Sequence, residues 1–214
     1  MKAVKFFTYF FFILFVLLFS ATYFIEKLFL PSKQSIVQRI NANNEYQLQY
    51  DSLDWNGKKI GFVHIGNDTA QRVIFIHGSP GNWSNYYMAL DNDSFYKDHC
   101  LIALDRYGYG LTEGAHGEQD LSVHAAYIHE FCQPSRGGRK PILVGHSMGG
   151  PIVIQSAIEY SRDLTGVISV AGSFDEKLEP NEWFRGVYKI FPVNLFFNRD
   201  LKASNDELFM HRIA

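Results

Sequence analysis

Cysteine is scarce in this chain: 214 residues carry two, Cys100 and Cys132. Neither belongs to a Cys-x-x-Cys pair, and no Cys/His group has zinc-like spacing, so no metal is expected and two buried thiols are. A disulfide between them stays open. Cys100 should begin a strand and Cys132 should end the helix after it, near one edge of a sheet, and bonding needs Cα atoms within about 7 Å. Charge of one sign is lacking too: 20 Lys and Arg face 22 Asp and Glu, for a net −2, and no basic run stands out. Nucleic acid is therefore not an expected partner. No internal repeat occurs, and the length suits one domain with a sizeable core better than two.

What the chain does have is apolar sequence, unevenly placed. From Phe6 to Ile25 no residue carries a charge, and Phe, Leu and Ile dominate. Twenty helical residues rise about 1.5 Å each, close to the ~30 Å of a bilayer core. Lys2 and Lys5 form a basic tail over residues 1–5, and Glu26 and Lys27 close the run. A cleavable leader shares the basic start, but the run is longer than such a core and no small-x-small site follows cleanly. Residues 6–25 are expected to be a single-pass membrane anchor in contact with lipid. The short basic tail favours an extracytoplasmic domain. Residues 26–44 read as a stalk, and residues 45–214 as the folded domain.

The domain opens with Tyr46, Leu48 and Tyr50 alternating with polar residues, then Asn56-Gly57, then alternation again at Ile60, Phe62 and His64. That pattern predicts an antiparallel hairpin. Short continuous apolar runs follow at 73–76, 101–104, 141–144 and 166–170. Strands of this kind are buried on both faces, as in a parallel sheet covered by helices. Helical patterns lie between them, one from Leu121 to Cys132 with Asp120 as its N-cap and one over Ile152 to Tyr160. Alternation of strand and helix predicts an α/β fold with a mostly parallel sheet.

Three turns follow three of these strands at their C-terminal ends, where open α/β sheets collect their sites. The first is Gly145-His146-Ser147-Met148-Gly149. Entered by a strand and left by a helix, it has the context of a nucleophile elbow with Ser147 at its tip. The glycines remove side chains that would collide with neighbouring backbone. The second is His77-Gly78-Ser79-Pro80-Gly81, a loop able to offer a backbone N–H, at Ser79, to a tetrahedral oxyanion. Met148 would offer the other. The third, Asp105-Arg106-Tyr107-Gly108-Tyr109-Gly110, reads as a tight loop in which Asp105 and Arg106 brace the strand end, with Tyr107 and Tyr109 near a pocket.

In this order and spacing the three motifs resemble the α/β-hydrolase superfamily over about Tyr46 to Asp175. The resemblance implies an eight-stranded sheet and hydrolysis of a small acyl substrate by a Ser-acid-His triad, without a cofactor. It implies supporting roles for His77, Gly78, Gly81, Gly145, His146 and Gly149. Such triads run Ser, then Asp or Glu, then His. Asp175 follows the sixth strand, where some branches place the acid, though a loop role suits it equally. His211 is the sole histidine after Ser147, in a stretch at about 178–214 that reads as a lid. Strands seven and eight are not recognisable, so the chain is expected to be shortened at its C-terminus, its acid and base lying beyond Ala214. Two functions follow from this: an esterase- or lipase-like serine hydrolase tethered to a membrane, or a non-catalytic tethered interaction module that keeps the sheet alone.

Overall fold

The computed structural model describes residues 7, 9–17, 20, 32–43, 45–79, 81–112 and 120–174. Its elements run α1 (Lys33–Asn43), β1 (Gln49–Trp55), β2 (Lys58–Gly66), β3 (Gln71–Ile76), β4 (His99–Leu104), α2 (Leu121–His129), β5 (Ile142–His146), α3 (Gly149–Tyr160) and β6 (Gly166–Val170). A 3-10 turn (Trp83–Tyr86) and two single-turn helices (Tyr87–Leu90 and Asp93–Tyr96) join β3 to β4.

The six strands form one sheet in the order β1-β2-β4-β3-β5-β6. β1 and β2 are antiparallel, as are β2 and β4; from β4 through β3 and β5 to β6 the pairing is parallel. This is the expected hairpin followed by the expected parallel sheet. Asn56 and Gly57 both take positive φ, 52° and 74°, which the tight two-residue connection requires.

Burial alternates along the parallel strands between two cores. Ile74 and Ile76 of β3 and Cys100, Ile102 and Leu104 of β4 pack with Tyr127 and Ile128 of α2 and Ile152 and Val153 of α3. Val73, Phe75, Leu101 and Ala103 face the other way, onto Trp83, Leu90 and Tyr96. Both faces of β3 and β4 are covered, which is why 73–76 and 101–104 are apolar throughout. β6, expected to be buried in the same way, is largely exposed among the described residues. α2 begins as its sequence indicates: the Asp120 side chain accepts from the Ser122 N–H at 2.8 Å. Cys100 and Cys132 are free and buried in the same core, so the disulfide alternative does not hold.

The stalk expected over 26–44 needs correction. Lys33–Asn43 is helical, and Ile36 and Ile40 are buried in the second core with Leu48, Val63 and Trp83. Ile36 and Ile40 are spaced i, i+4, so they share one helix face and bring it onto the sheet. The Asn41 side chain accepts from the Leu48 N–H at 2.7 Å, and Arg39 pairs with Asp91. The domain therefore starts before residue 45.

Of the anchor segment, Phe7, residues 9–17 and Ser20 are helical, with the apolar side chains of Phe7 and of 9–17 exposed. No helix among the described residues is long and apolar enough to cross a membrane. Asp175, His211 and the lid expected at about 178–214 lie outside the described residues.

Docking of α1 makes a measurable difference. Ile40→Ala leaves a cavity in a tight core and should cost about 2–5 kcal/mol in urea unfolding. A helix that merely spaced the domain from its tether would give no change.

Candidate active site

β5 ends in the turn that carries Ser147. This serine has φ 51°, a left-handed conformation that non-glycine residues rarely adopt and that tight functional turns sustain. The strain is held by hydrogen bonds on both sides of the peptide. The Ser147 N–H donates to Val170 O at the end of β6, and the Ser147 carbonyl accepts from Gly150 N–H at 2.9 Å and Ser173 N–H at 3.3 Å. The glycines are explained by contact rather than flexibility. A side chain on Gly145 would overlap the Gly149 carbonyl, and one on Gly149 would overlap the carbonyl of Ile76. α3 starts at Gly149, so the backbone N–H groups of Met148 and Gly149 lie at its N-terminal end beside the serine. Met148 occupies the position before that turn, makes no side-chain capping bond and is half-buried.

The loop after β3 adjoins the elbow. A Cβ placed on Gly78 would lie 2.9 Å from Ser147 Cβ and 3.2 Å from His146 O. Gly81 is confined by Asn85 Oδ1 and His77 Nδ1, 2.9 and 3.0 Å from such an atom. Ser79 is exposed, its hydroxyl 2.9 Å from Tyr109 OH. His146 is exposed beside the elbow.

His77 is fully buried with both ring nitrogens engaged. Nδ1–H donates to Gly78 O at 2.7 Å, since a carbonyl can only accept, and Nε2 accepts the Arg106 N–H at 3.0 Å. Those two bonds require the neutral ring. Burial first, then the nearby Arg106 charge, hold its pKa well below the usual histidine value. His77 thus ties the β3 loop to the β4 loop, and it has no free nitrogen with which to act as a base.

The β4 loop is organised by Asp105, also fully buried. Its carboxylate accepts from Trp83 N–H at 2.7 Å and Leu111 N–H at 2.8 Å, and its carbonyl accepts from the Thr112 hydroxyl at 2.6 Å. Gly110, at φ 57°, passes so close to this carboxylate that a side chain there would overlap it. The expected bracing role is what the structure displays. Two contributors carry no sequence signal beyond an aromatic ring with a polar tip. Trp83 supplies its backbone N–H to Asp105, and the Tyr86 hydroxyl donates to Ile76 O at 2.8 Å at the end of β3. Among the described residues, no side chain hydrogen-bonds the Ser147 hydroxyl, and no His/Cys/Asp/Glu group could hold a metal ion.

A strained serine between strand and helix, with a glycine loop packed against it at one sheet edge, defines a site of the nucleophile-elbow class. Residues 71–203 match the sequence profile of the α/β hydrolase fold, and the chain belongs to that family. It is 24% identical over 179 residues to Lipase 3 of a Moraxella species, covering 82% of this chain and 53% of the lipase. It is 28% identical over 169 residues to the 2-hydroxy-6-oxo-6-(2'-aminophenyl)hexa-2,4-dienoic acid hydrolase of Metapseudomonas resinovorans, covering 76% of this chain and 54% of that enzyme. The chain spans about a third to a little over half the length of these and other curated relatives. Its fold resembles the crystal structure of a membrane phospholipase A, a bacterial virulence factor, with a TM-score of 0.58 at 18% identity over 83% of this chain and 57% of the other.

Asp105 yields a pH prediction. Burial pushes its carboxyl up to about 6, although the Leu111 and Trp83 N–H groups pull the other way. The native state then keeps a proton that the unfolded chain has already released. The group's contribution to stability is whole below about pH 4 and is lost as pH rises through about 6. In Asp105→Asn the amide NH2 faces one of the two backbone donors, costing about 1–3 kcal/mol. The gap between wild type and variant in urea unfolding should be wider at about pH 4 than at about pH 7. A gap that widens toward neutral pH would contradict this account.

Proposed function

We propose that this protein is a membrane-anchored serine hydrolase, esterase- or lipase-like, with Ser147 as nucleophile and the backbone N–H groups of Ser79 and Met148 as its oxyanion hole. The observation that carries this reading is Ser147 at φ 51° at the tip of the β5–α3 turn with Gly78 against it. In the reaction, Ser147 Oγ adds to the acyl carbon while its proton passes to a general base. The alcohol leaves with a proton, and water then adds to the acyl-serine to release the acid. Negative charge on the acyl oxygen would develop between the β3 loop and the N-terminal turn of α3, where backbone donors and the helix dipole favour it.

Similarity to the lipases of Moraxella and Psychrobacter supports an ester of low polarity as the substrate class. The exposed apolar side chains of the helical residues between Phe7 and Leu17 suit a bilayer. With the basic residues Lys2 and Lys5 retained inside, the catalytic domain would lie outside the cytoplasm. Asp175 remains a candidate acid, and His211 the one histidine available after the nucleophile.

A second reading, a non-catalytic tethered module, is favoured by one observation: no described side chain hydrogen-bonds Ser147 Oγ. A serine without a base is a weak nucleophile. One experiment separates the two. In detergent-solubilised full chain, a fluorophosphonate probe should label wild type, with Ser147 Oγ bonding phosphorus and fluoride leaving, and should leave Ser147→Ala unlabelled. Equal, background signal from both would replace the hydrolase with the module.

A further inference from the structure

The fully buried Gly78 carbonyl belongs to the same peptide unit as the Ser79 N–H. It accepts twice, from His77 Nδ1–H at 2.7 Å and from an Arg106 Nη2–H at 2.9 Å. A trans peptide points its N–H opposite to its C=O. Fixing the carbonyl by two donors therefore fixes the direction of the Ser79 N–H as well. Donors on a carbonyl also polarise the peptide and strengthen its N–H as a donor, more so when one of them is a cation.

Arg106 is an unusual residue to find in this position. It is 2% exposed, and among the described residues no carboxylate lies within ion-pair distance of its guanidinium and its Nε has no hydrogen-bond partner. A buried, incompletely paired cation is costly to keep for packing alone. Its guanidinium carbon lies over the Tyr109 ring, 4.5 Å from the ring centroid. The Tyr109 hydroxyl in turn meets Ser79 Oγ at 2.9 Å, and the ring edge meets His77 at 5.4 Å between centroids. Arg106 and Tyr109 thus contact the Gly78–Ser79 peptide from its two ends, one at the carbonyl of the first residue and the other at the side chain of the second.

We propose that Arg106, seated on Tyr109, is a positioning residue of the oxyanion hole. It turns and polarises the Gly78–Ser79 peptide so that Ser79 presents its N–H to the charge developing on the acyl oxygen of a substrate attacked by Ser147. This deepens the hydrolase reading and rests on it for the chemistry, though not for the geometry of the loop. Arg106 acts through the peptide, so its loss should weaken the hole without deleting a donor. The effect should fall below the ~100–1,000-fold cost of removing an oxyanion donor outright.

The test uses full-length chain in detergent, with two readouts on each variant: the fluorophosphonate labelling rate and amide hydrogen exchange over residues 77–84. Arg106→Gln keeps a short donor but no charge, Arg106→Lys keeps the charge without the planar fork, and Tyr109→Leu removes the ring beneath it. Arg106→Gln should lower the labelling rate about 10- to 100-fold, with Arg106→Lys intermediate, and speed exchange of the Ser79 amide while that of the β-sheet amides is unchanged. Wild-type labelling and wild-type Ser79 exchange in Arg106→Gln would overturn the proposal. If Arg106→Gln fails to fold, Tyr109→Leu, altered only at a half-buried ring, decides on the same two readouts. If wild type itself is not labelled, the hydrolase reading fails, and Ser79 exchange alone decides: faster exchange in the variants supports the positioning role, and unchanged exchange refutes it.

Discussion

The chain at the C-terminal ends of β3 and β5 packs backbone against backbone, and the rest of the site is arranged around that contact. Gly149 lies on the carbonyl of Ile76, Gly145 on that of Gly149, and Gly78 against Ser147. Side chains at these positions would push the strand ends apart. Removing them lets one serine take a strained conformation, held in place by its N–H donating to Val170 O and its carbonyl accepting from the Gly150 and Ser173 N–H groups. The strain is local, and the parallel pairing of β3, β5 and β6 behind it supplies the rigidity that sustains it.

Around this contact, polar groups are buried in an order that satisfies nearly all of them. Asp105 gathers two backbone N–H groups from separate loops, and His77 bridges the β3 loop to the β4 loop as a neutral ring. The ends of β3 and β4 are thereby stitched into one surface by hydrogen bonds that do not depend on secondary structure. Arg106 differs from both in that its buried Nε has no hydrogen-bond partner among the described residues.

The sequence made the elbow legible because its determinants are local: two glycines, a serine, a strand before and a helix after. The parallel strands were legible for a related reason, since burial on both faces leaves continuous apolar runs such as 73–76 and 101–104. Helix α1 was not. Its composition is polar overall, and only Ile36, Val37 and Ile40 face the domain, too few to stand out after the intense apolar stretch before them. The loop network was half legible. Bracing by Asp105 and Arg106 followed from their place at a strand end. That a buried guanidinium would grip the Gly78 carbonyl, however, depends on two loops 28 residues apart meeting in space, which spacing along the chain does not encode.

Where α1 begins also limits how far the domain could stand from the proposed anchor. Seven residues, 26–32, separate the apolar segment ending at Ile25 from the docked helix beginning at Lys33. Fully extended they reach about 25 Å at ~3.6 Å per residue, less than the diameter of a domain this size, on the order of 40 Å. Under the proposed anchoring at residues 6–25, a domain on so short a connection would be unable to turn over freely and would keep one side toward the lipid. For molecules dissolved in the same bilayer, encounter would then become a search in two dimensions by a partner already oriented, and much of the rotational freedom that binding otherwise removes would be gone beforehand.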